Sequence, residues 1–219
     1  VGEFDTIILR SNFNDAWVWG GAPSQFIRDQ FAAQLQLAMG QPGRHGEFVH
    51  LYINGLYWGL YNPVERPDTS FSADYMGGDK DEWDGINSGA TTGESEITAW
   101  NQLMDMADAG LGTDEAYQQV QGNNPDGTNN PAYEDYLDID NYITYLLMNF
   151  WAGNSDWRSH NWYAGRMRGP NSTGFKSYSW DAEWTVDMRS SLTNNSVDDS
   201  NGITDDWLIK PQTSLVLNS

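Results

Sequence analysis

"GNSDWRSHNWYAGRMRGPNSTGFKSYSWDAEW", residues 153–184, packs a loop, two strand-like runs and two acidic clusters into one segment. "NWYAGRMRG" and "GFKSYSWDAEW" are rich in aromatic residues, and Pro170-Asn171-Ser172-Thr173 between them is a turn signal, so they read as two strands of a hairpin. Immediately upstream, Ile139, Ile143, Leu146, Leu147 and Phe150 recur at helical spacing, and Asp138 or Asp140 serves as an N-cap. The predicted order is therefore helix, a loop with Asp156 and Asn161 five positions apart, a hairpin, then Asp181-Ala182-Glu183.

Working outward, "EFVHLYINGLYWGLYN" sets two β-branched and aromatic runs on either side of Asn54-Gly55. Both residues tolerate the positive φ of a type I′ turn, which predicts a second hairpin. "TIILR", residues 6–10, is a short apolar strand. After the Pro23-Ser24 start signal, Ile27, Phe31, Leu35 and Met39 recur every four residues, predicting a helix over Gln25–Met39 that Gly40 stops. Residues 74–90 read as an acidic loop, Glu96 to Ala109 as a helix with Ile97, Trp100 and Met104 on one face, and residues 121–131 as an exposed loop. The tail from Thr193 to Asp206 reads as polar and loop-like. The fold class is α+β, and no internal repeat is evident.

Thirty-one acidic residues against 11 basic ones give a formal net charge of -20. Such a surface repels phosphate backbones, which argues against nucleic-acid binding, and attracts divalent cations. With no cysteine, disulfide scaffolds, thiolate metal sites and thiol nucleophiles are excluded. No apolar run approaches the ~18 residues of a membrane span. "VGEFDTIILRSN" lacks the plan of a signal peptide and reads as entering mid-domain, and "WLIKPQTSLVLNS" stops as an apolar pattern begins, so the chain reads as truncated at both ends. Most of the 11 tryptophans fall in apolar patterns and are expected in the core.

Phosphoryl transfer of the protein-kinase type needs a loop Asp to receive the hydroxyl proton, an Asn five residues later to hold a metal, and a further Asp beyond a hairpin to hold the metal that bridges the phosphates. Mg²⁺ favours such hard oxygen ligands. Asp-x4-Asn alone carries little weight in a chain this rich in Asp and Asn; the order of the surrounding elements raises it. Other motifs fall short. "GLGTDE" lacks the third glycine of a dinucleotide loop, and "GGDK" is not a P-loop. Asp79-x-Asp81 lacks the remaining ligands of a calcium loop, leaving at most loosely bound Ca²⁺. His45, His50 and His160 have no metal-ligand spacing, and His160 reads as structural.

Three stretches, "VHLYINGLYWGLYNPVERPD" (49–68), "DIDNYITYLLMNFWAGNSDWRSHNWY" (138–163) and "FKSYSWDAEWT" (175–185), resemble the spore-coat CotH family of atypical secretory protein kinases. The resemblance implies a kinase-like fold. Residues 1–68 would be the end of a small lobe, helix plus hairpin, and residues 69–219 a mostly helical large lobe with a catalytic-loop hairpin. It implies Asp156 as catalytic acid/base, Asn161 and Asp181 as metal ligands, Glu183 as a second acidic ligand and Asn154 as a support of the catalytic loop. Glu65 would lie near the nucleotide at the inter-lobe connection, and Arg28 or Asp29 near the cleft. ATP, Mg²⁺ or Mn²⁺, and a secreted or surface protein substrate are the implied partners, with a bacterial extracellular or cell-surface location.

The resemblance also implies a small-lobe cation on the nucleotide phosphates. The family's basic strand would precede Val1, and Lys80, Lys176 and Lys210 are poorly positioned to replace it; Lys176 reads as a solvated edge charge. Two rivals stand beside a kinase. One is a Trp-rich extracellular module binding glycan or protein, with a glycosidase variant that pairs Asp156 and Asp181 across a sugar. The other is a kinase-like pseudoenzyme.

Overall fold

The computed structural model describes residues 5–188 apart from 94 and 159. The polar tail expected over 193–206 and Lys210 lie outside the described residues. Two antiparallel sheets and their packed helices make an α+β fold.

The first sheet has the order β1-β3-β2, with β1 at Ile7–Arg10, β2 at Val49–Ile53 and β3 at Leu56–Glu65. Asn54 at φ 51° and Gly55 at φ 80° make the predicted turn, and Tyr52 pairs with Tyr57 beside it. A four-residue α1 (Trp17–Gly20) and α2 (Arg28–Ala38) lie between β1 and β2. The apolar repeat that predicted α2 faces outward: Ile27, Phe31 and Met39 are 40–47% exposed. Its buried side carries Arg28, Asp29, Gln30, Ala32, Ala33 and Gln36. Small and polar residues are wanted there because α2 meets backbone and charge as well as the apolar core, which Ala32 and Leu35 join.

The second sheet has the order β5-β4-β6-β7, built from β4 (Trp83–Asn87), β5 (Ala90–Thr92), β6 (Trp162–Met167) and β7 (Lys176–Ser179). Its β6–β7 hairpin is the one expected, but β4 and β5 come from the segment read as an acidic loop. That segment also holds the end of α3 (Thr69–Met76) and a 3-10 turn over Lys80–Glu82. Asp84 is buried in β4 because Arg168 Nε lies 2.7 Å from its Oδ1, which also accepts from Glu96 N at 2.9 Å. A charge thus neutralised reads as loop in the sequence and sits inside a sheet. Asp79 and Glu82 close a capping box at the 3-10 turn, so Asp79, one of the two acids considered for Ca²⁺, is engaged with backbone. The sheet sits among helices α3 (Thr69–Met76), Thr98–Ala109, Asp114–Gln119 and Ile139–Trp151, which hold most of the regular structure described after residue 68.

Three more helices complete the fold: α4 (Thr98–Ala109), α5 (Asp114–Gln119) and α6 (Ile139–Trp151). Asp138 caps α6 by accepting from Asn141 N at 2.8 Å. The buried face of α6 is Ile139, Tyr142, Tyr145, Leu146 and Met148, whereas Ile143 and Leu147 of the expected stripe are 45% and 56% exposed. Trp100 stacks on Trp162 at 5.3 Å and meets Phe175 edge-on, and Trp157 lies under Tyr145 and Phe150. Each such buried ring contributes roughly 1.5–3 kcal/mol by leaving water. Not every tryptophan is core: Trp17, Trp19, Trp58 and Trp151 are exposed.

β7 is an edge strand whose open side is closed by side chains. Gln36 Nε2 donates to Ser177 O at 2.7 Å, Ser179 N donates to Gln36 Oε1 at 2.8 Å, and Ser177 N donates to Asn141 Oδ1 at 2.7 Å. Unpaired edge groups are thereby satisfied, and β7 is fixed against α2 and α6. Lys176 is a partner rather than a free edge charge, paired with Asp138 and largely shielded. Among the described residues no helix is long and apolar enough to cross a membrane.

Candidate active site

The chain leaves α6 through Gly153 at φ 59°, a left-handed turn that glycine adopts without penalty. Asn154 then folds back under the loop. Its Nδ2 donates to Asn149 Oδ1 at 2.8 Å, and its Oδ1 accepts from Asp156 N at 3.1 Å. With Trp157 buried behind it, the loop presents Asp156 half-exposed. Asn161 Nδ2 donates to Asp156 O at 2.9 Å and to Oδ2 at 3.1 Å, while His160 Nε2 lies 3.0 Å from Oδ1. The five-residue spacing therefore closes a turn on itself. Burial raises the Asp156 pKa, His160 and Asn161 oppose the rise, and the negative charge of Asp181 adds to it.

The β6–β7 hairpin returns the chain to this loop and delivers Trp180 to Glu183. Asn161 at φ 64° and Asp181 at φ 55° both hold left-handed backbone, which non-glycine residues adopt at a cost and which clusters at functional sites. Asp181 is ion-paired with Arg10, the last residue of β1. Arg10 Nη2 also lies 2.8 Å from Glu183 Oε1. Its Nε stands 2.9 Å from Asp29 Oδ2 as a close ion pair off the hydrogen-bond line. Glu183 Oε2 accepts from Asn14 N at 2.6 Å and from Asp15 N at 3.1 Å. Asp29 Oδ1 accepts from Ala182 N at 2.9 Å and pairs with the fully buried Arg44.

The electrostatics follow from this packing. Burial pushes the Asp29 carboxyl upward, but Arg44 and Arg10 outweigh it and hold the pKa below the usual range. Burial and the charge of Asp181 raise the Glu183 pKa against the pull of Arg10. Burial works against the Arg10 charge, yet Asp29, Asp181 and Glu183 raise its pKa. Three carboxylates, Asp29, Asp181 and Glu183, thus face two guanidinium groups, Arg10 and Arg44, and Asp156 adds a fourth negative group near Asp181. The surplus is negative and suits a further cation. Among the described residues no group of three or more His, Cys, Asp or Glu is arranged as a ready-made ion cage. The hard oxygens of Asp156, Asn161 and Asp181 together with the uncompensated charge nevertheless fit Mg²⁺, which uses few protein carboxylates.

Asp156, Asn161, Asp181 and Glu183 are therefore brought together, with Asn154 bracing the loop beneath. Glu65 stands apart at the end of β3. Its Oε1 accepts from Tyr75 Oη at 2.6 Å, and its Oε2 accepts from His45 N at 2.9 Å. It lines a narrow cleft with Thr6, Arg66 and Asp68. Of the two α2 candidates, Asp29 enters the acid cluster, while Arg28 pairs with Asp15.

Arg10 is the residue the sequence reading missed. The search for a cation considered lysines, and the arginine that ends "TIILR" was passed over, although a charge closing an apolar strand is a visible signal. Arg44 had no signal of its own; only the packing puts it under α2.

A search of curated proteins returned no match. The family model described as CotH kinase protein matches residues 1–216, essentially the whole chain. With that match over nearly its full length, this chain belongs to the CotH kinase family.

Proposed function

We propose that this chain transfers a phosphoryl group from ATP, bound with Mg²⁺ or Mn²⁺, to a Ser or Thr hydroxyl of a secreted or surface protein. The observation that carries the reading is the meeting of Asp156 and Asp181, close enough that one charge raises the pKa of the other. Protein kinases pair a strand cation with an acid on the neighbouring helix, and Arg10 on β1 with Asp29 on α2 has that relation. Residues 1–68 then act as a small lobe and residues 69–219 as the large lobe.

In this scheme Asp156 accepts the proton of the attacking hydroxyl as its oxygen bonds to the γ-phosphorus and the bond to the β-phosphate oxygen breaks. Asn154 and Asn161 hold that carboxylate in place. Asp181 and Asn161 would hold the metal, with Glu183 behind them, and the metal would neutralise phosphate charge. Arg10 supplies the cation that the lysines do not. Glu65, closing β3, is the residue expected nearest the nucleotide.

Titration calorimetry of Mg²⁺·ATP tests this. The wild-type chain binds, Asp181→Ala loses binding, and Asp156→Asn binds ATP while losing transfer to a Ser/Thr acceptor. Binding that ignores metal and survives Asp181→Ala overturns the reading.

A second reading, a module binding glycan or protein at the surface, draws on exposed rings. Tyr52, Tyr57 and Trp58 at the hairpin tip and Phe13, Trp17 and Trp19 around α1 are 56–70% exposed. Glycan retention independent of ATP would favour it.

A further inference from the structure

The turn between α2 and β2, Gly43-Arg44-His45-Gly46, touches both Glu65 and the acid cluster around Asp181. It is pressed onto its neighbours: a Cβ on Gly46 would stand 2.7 Å from Val64 Cγ1, and one on Gly43 would stand 3.3 Å from Ala33 O. Only a glycine at each end lets the turn sit this deep. Between them, successive side chains point to opposite tasks.

His45 faces outward. Its ring Nδ1 lies 3.2 Å from Glu65 Oε2 and 2.9 Å from Tyr75 Oη, and its backbone N–H also binds Glu65. Arg44 faces inward and is wholly buried. Its Nη2 donates to Asp29 O at 3.0 Å and pairs with the Asp29 carboxylate; its Nε reaches Ser179 O at 3.4 Å. Its guanidinium lies 5.2 Å from the Trp180 ring centroid, beside Arg10 at 4.9 Å. Ser179 and Trp180 are the two residues that precede Asp181, and Ala182 N–H follows it onto Asp29.

A buried arginine is costly, and a second one already serves Asp29. Arg44 Nη1 has no hydrogen-bond partner, so hydrogen bonding alone does not account for its place. What its contacts have in common is the backbone on either side of Asp181. We propose that Arg44 is a positioning residue: acting through Asp29 and Trp180, it holds Asp181 in its left-handed conformation, and the Gly43–Gly46 turn is the strut that ties that acid to Glu65. This rests on the reading of Asp181 as the metal-holding acid only for its functional consequence; the mechanical link stands on the geometry.

The test is amide hydrogen exchange of the full chain with Arg44→Met and Arg44→Lys, without nucleotide. The Ala182 amide exchanges about tenfold faster in Arg44→Met, while amides in the middle of α6 keep their protection. Arg44→Lys, which keeps the charge but loses the planar fork, recovers part of the protection. Leu103→Ala, a core truncation in α4, serves as the control for general destabilisation and leaves Ala182 no more exposed than the rest of the chain. Mg²⁺·ATP titration follows on the same proteins: affinity falls in Arg44→Met and returns partly in Arg44→Lys.

Unchanged exchange at Ala182 in a folded Arg44→Met protein overturns the proposal; if that variant does not fold, full protection at Ala182 in Arg44→Lys does so. An equal loss in Leu103→Ala overturns it as well. A wild-type chain that fails to bind Mg²⁺·ATP sinks the kinase reading, while the exchange result still decides the strut.

Discussion

Replacing Arg10 with methionine removes the cation at the centre of the acid cluster. Its guanidinium contacts Asp181, stands 2.8 Å from Glu183 and 2.9 Å from Asp29, and its side chain is only 12% exposed. Breaking a buried pair by deleting one partner costs about 3–5 kcal/mol, because the other charge is left uncompensated. Here three carboxylates lose a partner, and Arg44 still serves only one of them directly. For a chain of this size, 1 kcal/mol moves Tm by roughly 2–4 °C, so Arg10→Met should melt about 6–20 °C below wild type at pH 7. The loss should shrink on acidification, as Glu183, already raised by burial, takes up its proton more readily once the pull of Arg10 is gone. Arg10→Lys should recover only part, since an ammonium is a point charge that cannot fork across three acids. Thermal melts by circular dichroism from pH 5 to 8 read all three. A Tm within about 2 °C of wild type, with the same pH profile, would refute the reasoning.

Gln36→Leu should cost about 2–5 kcal/mol in urea unfolding, because it leaves Ser177 O and Ser179 N unpaired on the buried side of β7; a cost below about 1 kcal/mol would mean that water replaces the side chain. The acids of the cluster should differ in pH behaviour. Asp29 has a depressed pKa, so the stability it contributes is present above the ordinary value of 3.8 and is lost as pH falls through its folded pKa; Asp29→Asn should flatten that acid limb. Glu183 has a raised pKa, so its favourable contribution is present below 4.5 and is lost as pH rises through the folded value. At pH 7 Glu183→Gln should therefore destabilise less than Asp29→Asn, and melts showing the reverse order would contradict the assignment.

The local elements were legible wherever one short-range rule dominates. Asn54-Gly55 needs only its two positive φ angles, and the β6–β7 hairpin only aromatic runs and a turn. The turn from Asn154 to Asn161 could be read for the same reason: the bonds that Asn154 and Asn161 make around Asp156 run between residues at most five apart, so spacing along the chain is also spacing in space. Even the family could be named from three such stretches.

Burial was another matter. A helix can be recognised from a repeat of apolar residues, but which side faces inward depends on what it meets. α2 turns Phe31 outward and Gln36 inward because β7 offers unpaired backbone, and β4 hides Asp84 because Arg168, 84 positions away, neutralises it. The candidate site shows the same division. Asp156, Asn161, Asp181 and Glu183 could be proposed from order and spacing. Arg10, Asp29 and Arg44 join them across sequence separations of up to 173 residues, and charge pairing at that range leaves no periodicity to read. Residue types along the chain thus determined the β2–β3 and β6–β7 hairpins, the helices α2, α4 and α6, the acid loop and the family. Only the tertiary structure decided which cations answer those acids, because a buried charge is tolerated solely where the fold brings its partner.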